Sequence, residues 1–255
     1  MPPLNAALCG RSRAEITREL RRLLPRLERL AAPSRALSFG LPTVDAHLQG
    51  GLAYGALHEF APESDEETAA AFGFAAALLG RMPGPIVLVL SSRKIALHGR
   101  PSGHGLKCLG LDPTRLVLVE ASNGREALWA MEEALHSSAP GAVAGTVGKM
   151  DFKTSQRLHL AAGEARRPLF LLRPAGELGT SVALTRWRIG SAAAARDRFG
   201  LVRGFRWKAR LERCRNGRPG QWLLEFDDAY RFSLAAALAD PAPARGRSAP
   251  SQRTA

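Results

Sequence analysis

Disulfide bonds and membrane spans have little support in this sequence. Its three cysteines, Cys9, Cys108 and Cys214, lie far apart and form no C-x-x-C pair, a usage typical of a reducing compartment. No stretch reaches the roughly 18 apolar residues of a membrane span, and the N-terminus lacks the apolar core of a signal peptide. We therefore expect a cytoplasmic protein without membrane contacts.

Metal-binding patterns are equally sparse. His98, His104 and Cys108 are spaced by six and four positions, without the fourth ligand of a zinc site. His58 stands inside an apolar run, which favours a hydrogen-bonded core residue over a catalytic base. We expect no metal centre.

Acidic residues are comparatively few. The chain has 36 lysines and arginines against 23 aspartates and glutamates, a net charge of +13. Between positions 186 and 218, eleven lysines and arginines stand against only Asp197 and Glu212. This clustering favours an anionic partner, nucleic acid first. A GC-rich genome, which prefers arginine over lysine, would also explain the total charge but explains the clustering less well. Nine of these cations are the candidate nucleic-acid contacts: Arg186, Arg188, Arg203, Arg206, Lys208, Arg210, Arg213, Arg215 and Arg218.

Three of these cations alternate along a predicted strand. Arg206, Lys208 and Arg210 would share one face of that strand, while Trp207 and Leu211 face the core, because successive side chains of a strand point to opposite sides. A row of cations suits a phosphate backbone. A solvated strand face, or a surface for an acidic protein, would show the same pattern.

Alternation of apolar segments predicts an α/β fold. Apolar strands separated by helices indicate a mostly parallel sheet that is covered on both faces. We expect those strands at 57–60, 86–90, 116–120, 142–147 and 169–172, and helices near 66–79, 125–136 and 154–166. The glycine- and proline-rich stretch 93–114 is expected to be loop.

Further strands are predicted after Pro174, where alternation replaces the continuous apolar runs. They cover 182–189, 206–213 and 221–226. Asn216-Gly217 is a strong turn signal between the last two strands. We therefore expect a C-terminal antiparallel hairpin that extends the sheet.

Three regions follow from these patterns. Residues 1–36 hold a basic amphipathic helix at 12–30 and a linker, 37–236 form the core domain, and 237–255 are rich in proline, alanine and arginine. The helix carries apolar residues at helical spacing, Pro25 should kink it, and its apolar face is expected to pack on the domain or on a partner. The tail has little to bury and should be disordered.

Residues 57–72 have the layout of a strand, a phosphate loop and a helix. A working phosphate loop supplies glycines, a lysine and a hydroxyl to the nucleotide. Here the corresponding positions hold Ala61, Glu66, Glu67 and Thr68, so only the hydroxyl is retained. Like charges about 4 Å apart repel by roughly 4 kcal/mol at a protein surface, and Glu63, Asp65, Glu66 and Glu67 would surround a polyanion with carboxylates. We expect no nucleotide cofactor.

Two other patterns resemble catalytic motifs only superficially. Residues 143–150 lack the first glycine and final hydroxyl of a phosphate loop, and chance explains them better. Ser91-x-x-Lys94 has the spacing of a serine–lysine dyad. Its companion motifs are missing, so a free serine in a strand-end loop is the better interpretation.

The order of these segments resembles the RecA recombinase family from about residue 39 to 226. Val44-Asp45, then Gly50-Gly51-Leu52 and Gly55, precede a strand and Ala61-Pro62-Glu63-Ser64, as in the opening of that family's ATPase core. That family carries an acidic residue after the second strand, which activates water, but this chain has Ser91-Ser92-Arg93-Lys94 there. At the end of the fourth strand, where the family has an aspartate that helps to hold magnesium, this chain has Gly145-Thr146-Val147. The resemblance implies a RecA-like fold that has lost its ATPase residues.

A RecA-like core without catalytic residues, with basic segments at both ends, resembles the ImuA family (inducible mutagenesis protein A). That resemblance implies a non-enzymatic adaptor in SOS-induced, error-prone translesion DNA synthesis. It implies as partners an ImuB-like Y-family polymerase homologue and an error-prone C-family DNA polymerase, with RecA and DNA as further candidates. Two alternatives stay open: an active RecA-superfamily ATPase with unconventional residues, and an inhibitor of a filament-forming protein such as RecA or a cell-division polymer.

Overall fold

A computed structural model describes residues 35–176, 179–194, 196 and 198–237. The predicted N-terminal helix and nearly all of the predicted tail lie outside these residues. The helices are α1 (Pro42–His47), α2 (Thr68–Gly80), α3 (Ser92–His98), α4 (Gly103–Cys108), α5 (Gly124–His136) and α6 (Phe152–Ala165). The strands are β1 (Ala36–Leu37), β2 (Leu52–Ala53), β3 (Leu57–Pro62), β4 (Ile86–Ser91), β5 (Leu116–Ala121), β6 (Ala142–Thr146), β7 (Leu169–Leu172), β8 (Thr185–Ser191), β9 (Phe205–Cys214), β10 (Gly220–Phe226) and β11 (Phe232–Ala237).

Among the described residues, nine strands form the central sheet in the order β11-β10-β9-β8-β3-β7-β6-β4-β5. The six strands from β8 to β5 run parallel, whereas β9, β10 and β11 continue the sheet antiparallel. The mostly parallel α/β architecture and its C-terminal antiparallel extension are therefore confirmed. The arrangement is consistent with a RecA-like fold.

The sheet is covered on both faces because its parallel strands are apolar on both sides. Ile86 and Leu88 of β4 belong to the core that includes α2, while Val87 and Val89 belong to a second core that includes Met131 of α5 and Leu158 of α6. Helix α2 therefore packs on one face, and α5 and α6 pack on the other. The α2 face holds an aromatic cluster of Phe39, Phe74, Trp187, Trp207 and Phe232.

Several short elements differ from the sequence-based expectation. The stretch predicted as loop contains α3 and α4, which begin after serine caps: Ser91 accepts from the backbone N–H of Lys94, and Ser102 accepts from that of Gly105. Strand β11 was not predicted, because its alanines disfavour strands. The division into regions at 36 and 237 stays a prediction. No helix in the described part of the chain is long and apolar enough to cross a membrane.

Candidate functional site

The loop predicted to be a degenerate phosphate loop, residues 61–68, joins β3 to α2 at the carboxyl end of the parallel strands. Ala61 is buried within β3, and Asp65–Glu67 form a 3-10 turn before α2 begins at Thr68. In α/β sheets, ligands bind at the carboxyl ends of the strands. The layout expected from the sequence is thus present, and the chemistry of its side chains decides what it can hold.

The side chains of Glu67 and Thr68 form hydrogen bonds with other residues of the same chain. Glu67, at the position of the phosphate-loop lysine, accepts hydrogen bonds from the Ser191 backbone N–H and hydroxyl, at 2.8 and 2.9 Å. The Thr68 hydroxyl donates to the Asp65 carbonyl at 2.7 Å. A hydrogen bond from Ser64 lowers the pKa of exposed Glu66, which favours its ionised form. The loop is therefore attached to β8 through the hydrogen bonds of Glu67, and its exposed surface is negatively charged.

Two neighbouring strand ends carry neutral residues. Ser91 ends β4 and caps α3, and its backbone N–H donates to the Thr146 hydroxyl at the end of β6, at 3.1 Å. The expectation of a free serine at position 91 was wrong, because its side chain accepts from the Lys94 backbone. Neither strand end offers a carboxylate for water activation or magnesium binding.

A buried ion cluster starts within β3, the strand that leads into the loop, and was not predicted from the sequence. Glu59 of β3 is fully buried and accepts from Arg186 Nε of β8 at 2.8 Å and from Ser181 Oγ at 3.0 Å. Arg173 Nε, just beyond β7, lies 3.8 Å from the same carboxylate, and burial lowers the pKa of Arg173. The available signal was a glutamate within the apolar run of β3. Arg186 is thus a structural ion-pair partner.

Strand pairing brings five of the nine candidate cations to one face of the sheet. Arg188 pairs in register with Arg210, and Gly190 pairs with Lys208. As predicted, Arg206, Lys208 and Arg210 alternate with buried Trp207, Ala209 and Leu211. The shared face carries Arg186, Arg188, Arg206, Lys208 and Arg210. Arg213 follows a register irregularity opposite Arg186, and Arg203, Arg215 and Arg218 lie outside this row.

Most of the nine candidate cations form ion pairs or hydrogen bonds within the protein. Arg188 and Arg210 share Glu212, each at 3.1 Å, and Arg206 pairs with Glu225. Arg213 and Arg215 donate to the carbonyls of Ser181 and Val182. Among the described residues, the exposed side chains of Arg203, Lys208 and Arg218 form no ion pair or hydrogen bond. The row is therefore less strongly cationic than its sequence suggests.

His58 is a structural residue of the core. His58 is fully buried, with Nδ1 2.8 Å from Thr185 Oγ1 and Nε2 2.9 Å from the Ala53 carbonyl. This confirms the prediction of a hydrogen-bonded core residue. His104 Nε2 lies 3.8 Å from Cys108 Sγ, and no group of three potential metal ligands occurs among the residues that the structure describes.

Sequence comparison finds relatives of this chain among known proteins. The chain is 34% identical over 232 residues to the protein named ImuA in Caulobacter vibrioides strain NA1000 / CB15N. The same values hold for the ImuA protein of strain ATCC 19089 / CIP 103742 / CB 15. Each alignment covers 82% of this chain and 92% of the relative. No family model matches the chain.

Proposed function

The chain belongs to the ImuA family, and from this premise we propose that it is a non-catalytic accessory protein of inducible, error-prone translesion DNA synthesis. In this proposal its RecA-like core is a docking scaffold that works in the cytoplasm. The proposed partners are an ImuB-like Y-family polymerase homologue and an error-prone C-family DNA polymerase. RecA is a further candidate partner.

One observation carries the non-catalytic proposal. A phosphate loop needs a cation at the position of Glu67, but this carboxylate instead holds Ser191 of β8 through two hydrogen bonds. Replacing a phosphate ligand by a structural carboxylate both repels a triphosphate and fixes the loop in place. The neutral residues at the ends of β4 and β6 support the same conclusion.

Nucleotide binding tests this proposal directly. A ligand at a hundred times its dissociation constant stabilises a fold by about 2.7 kcal/mol. We expect millimolar Mg-ATP to leave the thermal midpoint of the full chain unchanged and to be hydrolysed no faster than in buffer. A concentration-dependent rise in the midpoint, accompanied by hydrolysis that disappears when Thr68→Ala is introduced, would establish the ATPase alternative.

Partner binding requires a separate experiment. The protein should co-purify with an ImuB-like polymerase homologue when the two are co-expressed, and the complex should survive gel filtration. An unrelated Y-family polymerase is the control for nonspecific adhesion by a basic protein. If neither the ImuB-like protein nor the C-family polymerase is retained, the adaptor proposal fails.

DNA is a second candidate partner, supported by the sheet face of β8 and β9. There Arg188, Arg206, Lys208 and Arg210 stand against Glu212 and Glu225, so two positive charges remain uncompensated. Lys208 is exposed in the middle of β9. Such a surface binds phosphates without reading bases, so we propose sequence-independent contact of modest strength.

A further inference from the structure

An open groove runs from the degenerate phosphate loop along α2. Its volume is about 680 Å³, and its walls include Phe72 and Gly73 of α2, Leu106 of α4, Leu109, and Phe205 and Trp207 of β9. A cavity of about 190 Å³ adjoins it and shares Ala69 and Phe72. The groove is therefore wide enough for side chains of another segment.

Helix α2 has no polar face with which to line such a groove. From Ala69 to Gly80 it contains only alanine, phenylalanine, leucine and glycine. Its residues from Gly73 to Leu79 are buried, whereas Ala69 is exposed and Phe72 is half-buried. A helix that is apolar all round is normally covered all round. The first turns of α2 therefore lack part of their cover among the described residues.

Charges at the rim indicate what kind of segment fits. Arg100 is paired with Glu120, and Arg206 is paired with Glu225. Glu66 lines the groove, Glu63 and Asp65 lie beside it in the same loop, and all three are exposed without an ion pair to a described residue. Of the charged residues that line the groove itself, Glu66 and Glu67 form no ion pair with a described residue, so the uncompensated charge of the lining is negative. The exposed Arg203 lies between the lining residues Val202 and Gly204 but does not itself line the groove. An apolar segment that carries cations is thus the complementary occupant.

Residues 12–30 of this chain have this chemistry. Their apolar residues recur at helical spacing: Ile16, Leu20, Leu23, Leu24, Leu27 and Leu30. Residues 12–24, ahead of Pro25, carry four arginines against two glutamates, a net charge of +2. We propose that residues 12–24 dock as an amphipathic helix in the groove beside α2, with their leucines on Phe72 and their arginines facing the acidic loop.

The connection is long enough for this docking. A helix from 12 to Leu24, ahead of Pro25, would be about 20 Å long, which matches the 13 residues of α2. The chain enters the described structure at Arg35, whose carbonyl accepts from the Tyr54 backbone near the start of β3. The ten residues 25–34 can span up to about 33 Å, more than the roughly 20 Å length of six-residue β3. Such a tether gives an effective concentration in the millimolar range, so a weak interface suffices.

Photocrosslinking of the full chain tests this proposal. With p-benzoyl-phenylalanine in place of Phe72, we expect crosslinks within the same molecule to residues 12–24, identified by mass spectrometry, with a yield independent of protein concentration. The control carries the same group in place of Phe152, which is exposed on α6 across the sheet. Replacing Leu20→Glu and Leu24→Glu together should lower the yield more than about tenfold, because two apolar contacts are lost.

Charge and native-state measurements complete the test. Glu66→Lys should lower the crosslink yield by up to about fivefold, the scale of one exposed charge contact, whereas Glu133→Lys on α5 should not. Independently of any variant, hydrogen exchange in the unmodified chain should show protected amides in 12–24. Crosslinks to the tail 238–255 or to a second copy, or unprotected exchange in 12–24, would overturn the proposal.

Discussion

Glu59 is a buried charge whose ion pair should contribute to the stability of the fold. Its carboxylate has no solvent exposure and holds Arg186 on the neighbouring strand, with Arg173 nearby. Removing one partner of a buried ion pair costs about 3–5 kcal/mol because the other charge is left uncompensated. We expect Glu59→Gln to lower the free energy of unfolding in urea by that amount. Glu133→Gln, at an exposed site, is the control and should change it by less than about 0.5 kcal/mol. A loss as small as the control's would mean that Glu59 stabilises nothing.

His58 gives the fold a defined pH dependence. Burial lowers its pKa from 6.5 to about 4, although a hydrogen bond to Ala53 opposes this and nearby His159 adds to it. Because the unfolded chain binds the proton more readily, the full stabilisation is present above about pH 6.5 and is lost as the pH falls toward 4. Between pH 7 and 4 the loss should be about 3 kcal/mol. His58→Gln should remove this part of the pH dependence, while exposed His136→Gln should not. Parallel curves for the wild type and His58→Gln would contradict the assignment.

At the scale of elements, the turn between α1 and β2 needs two glycines for different reasons. Gly50 has φ of +109° and open space where a Cβ would lie, whereas Gly51 has φ of +132° and a Cβ there would lie 2.3 Å from the Leu37 carbonyl oxygen. We expect Gly50→Ala to cost about 1–3 kcal/mol of stability through backbone strain. Gly51→Ala should cost a further 1–3 kcal/mol, roughly the scale of overpacking. Equal losses in thermal or urea unfolding would show that β1 moves aside.

The long elements could be predicted from the sequence because they carry either a continuous apolar run, as in α2 and β4, or a clear periodicity, as in β9. The faces of β9 follow directly from its alternation, with Trp207 buried and Lys208 exposed. Helix α3 and helix α4 escaped prediction because their apolar content is low, although the serine caps Ser91 and Ser102 were readable signals. The partners of the cations could not be predicted, since Arg188 meets Glu212 only through the register of β8 with β9.

For the molecule as a whole, a net charge of +13 does not measure its capacity to bind DNA. Internal acids already neutralise part of the charge that the sequence concentrates between 186 and 218: Glu59 holds Arg186, Glu212 holds Arg188 and Arg210, and Glu225 holds Arg206. A cation in an ion pair gains less free energy by binding a phosphate, because the existing ion pair must first be broken. The exposed cations without partners should therefore dominate the salt dependence of binding.

This difference can be measured with two triple variants of equal charge. Replacing Arg203, Lys208 and Arg218 with glutamine should lower the slope of log K against log salt for single-stranded DNA by about 2 units, since each phosphate contact contributes about 0.7. Replacing Arg188, Arg206 and Arg210 with glutamine removes the same charge but only paired cations, so its slope should fall by less than about 1 unit. Both variants must first show a wild-type circular dichroism spectrum. If the second triple reduces the slope as much as the first, the ion pairs open on binding and the paired face is itself the contact. If neither variant changes it, DNA does not bind through these strands.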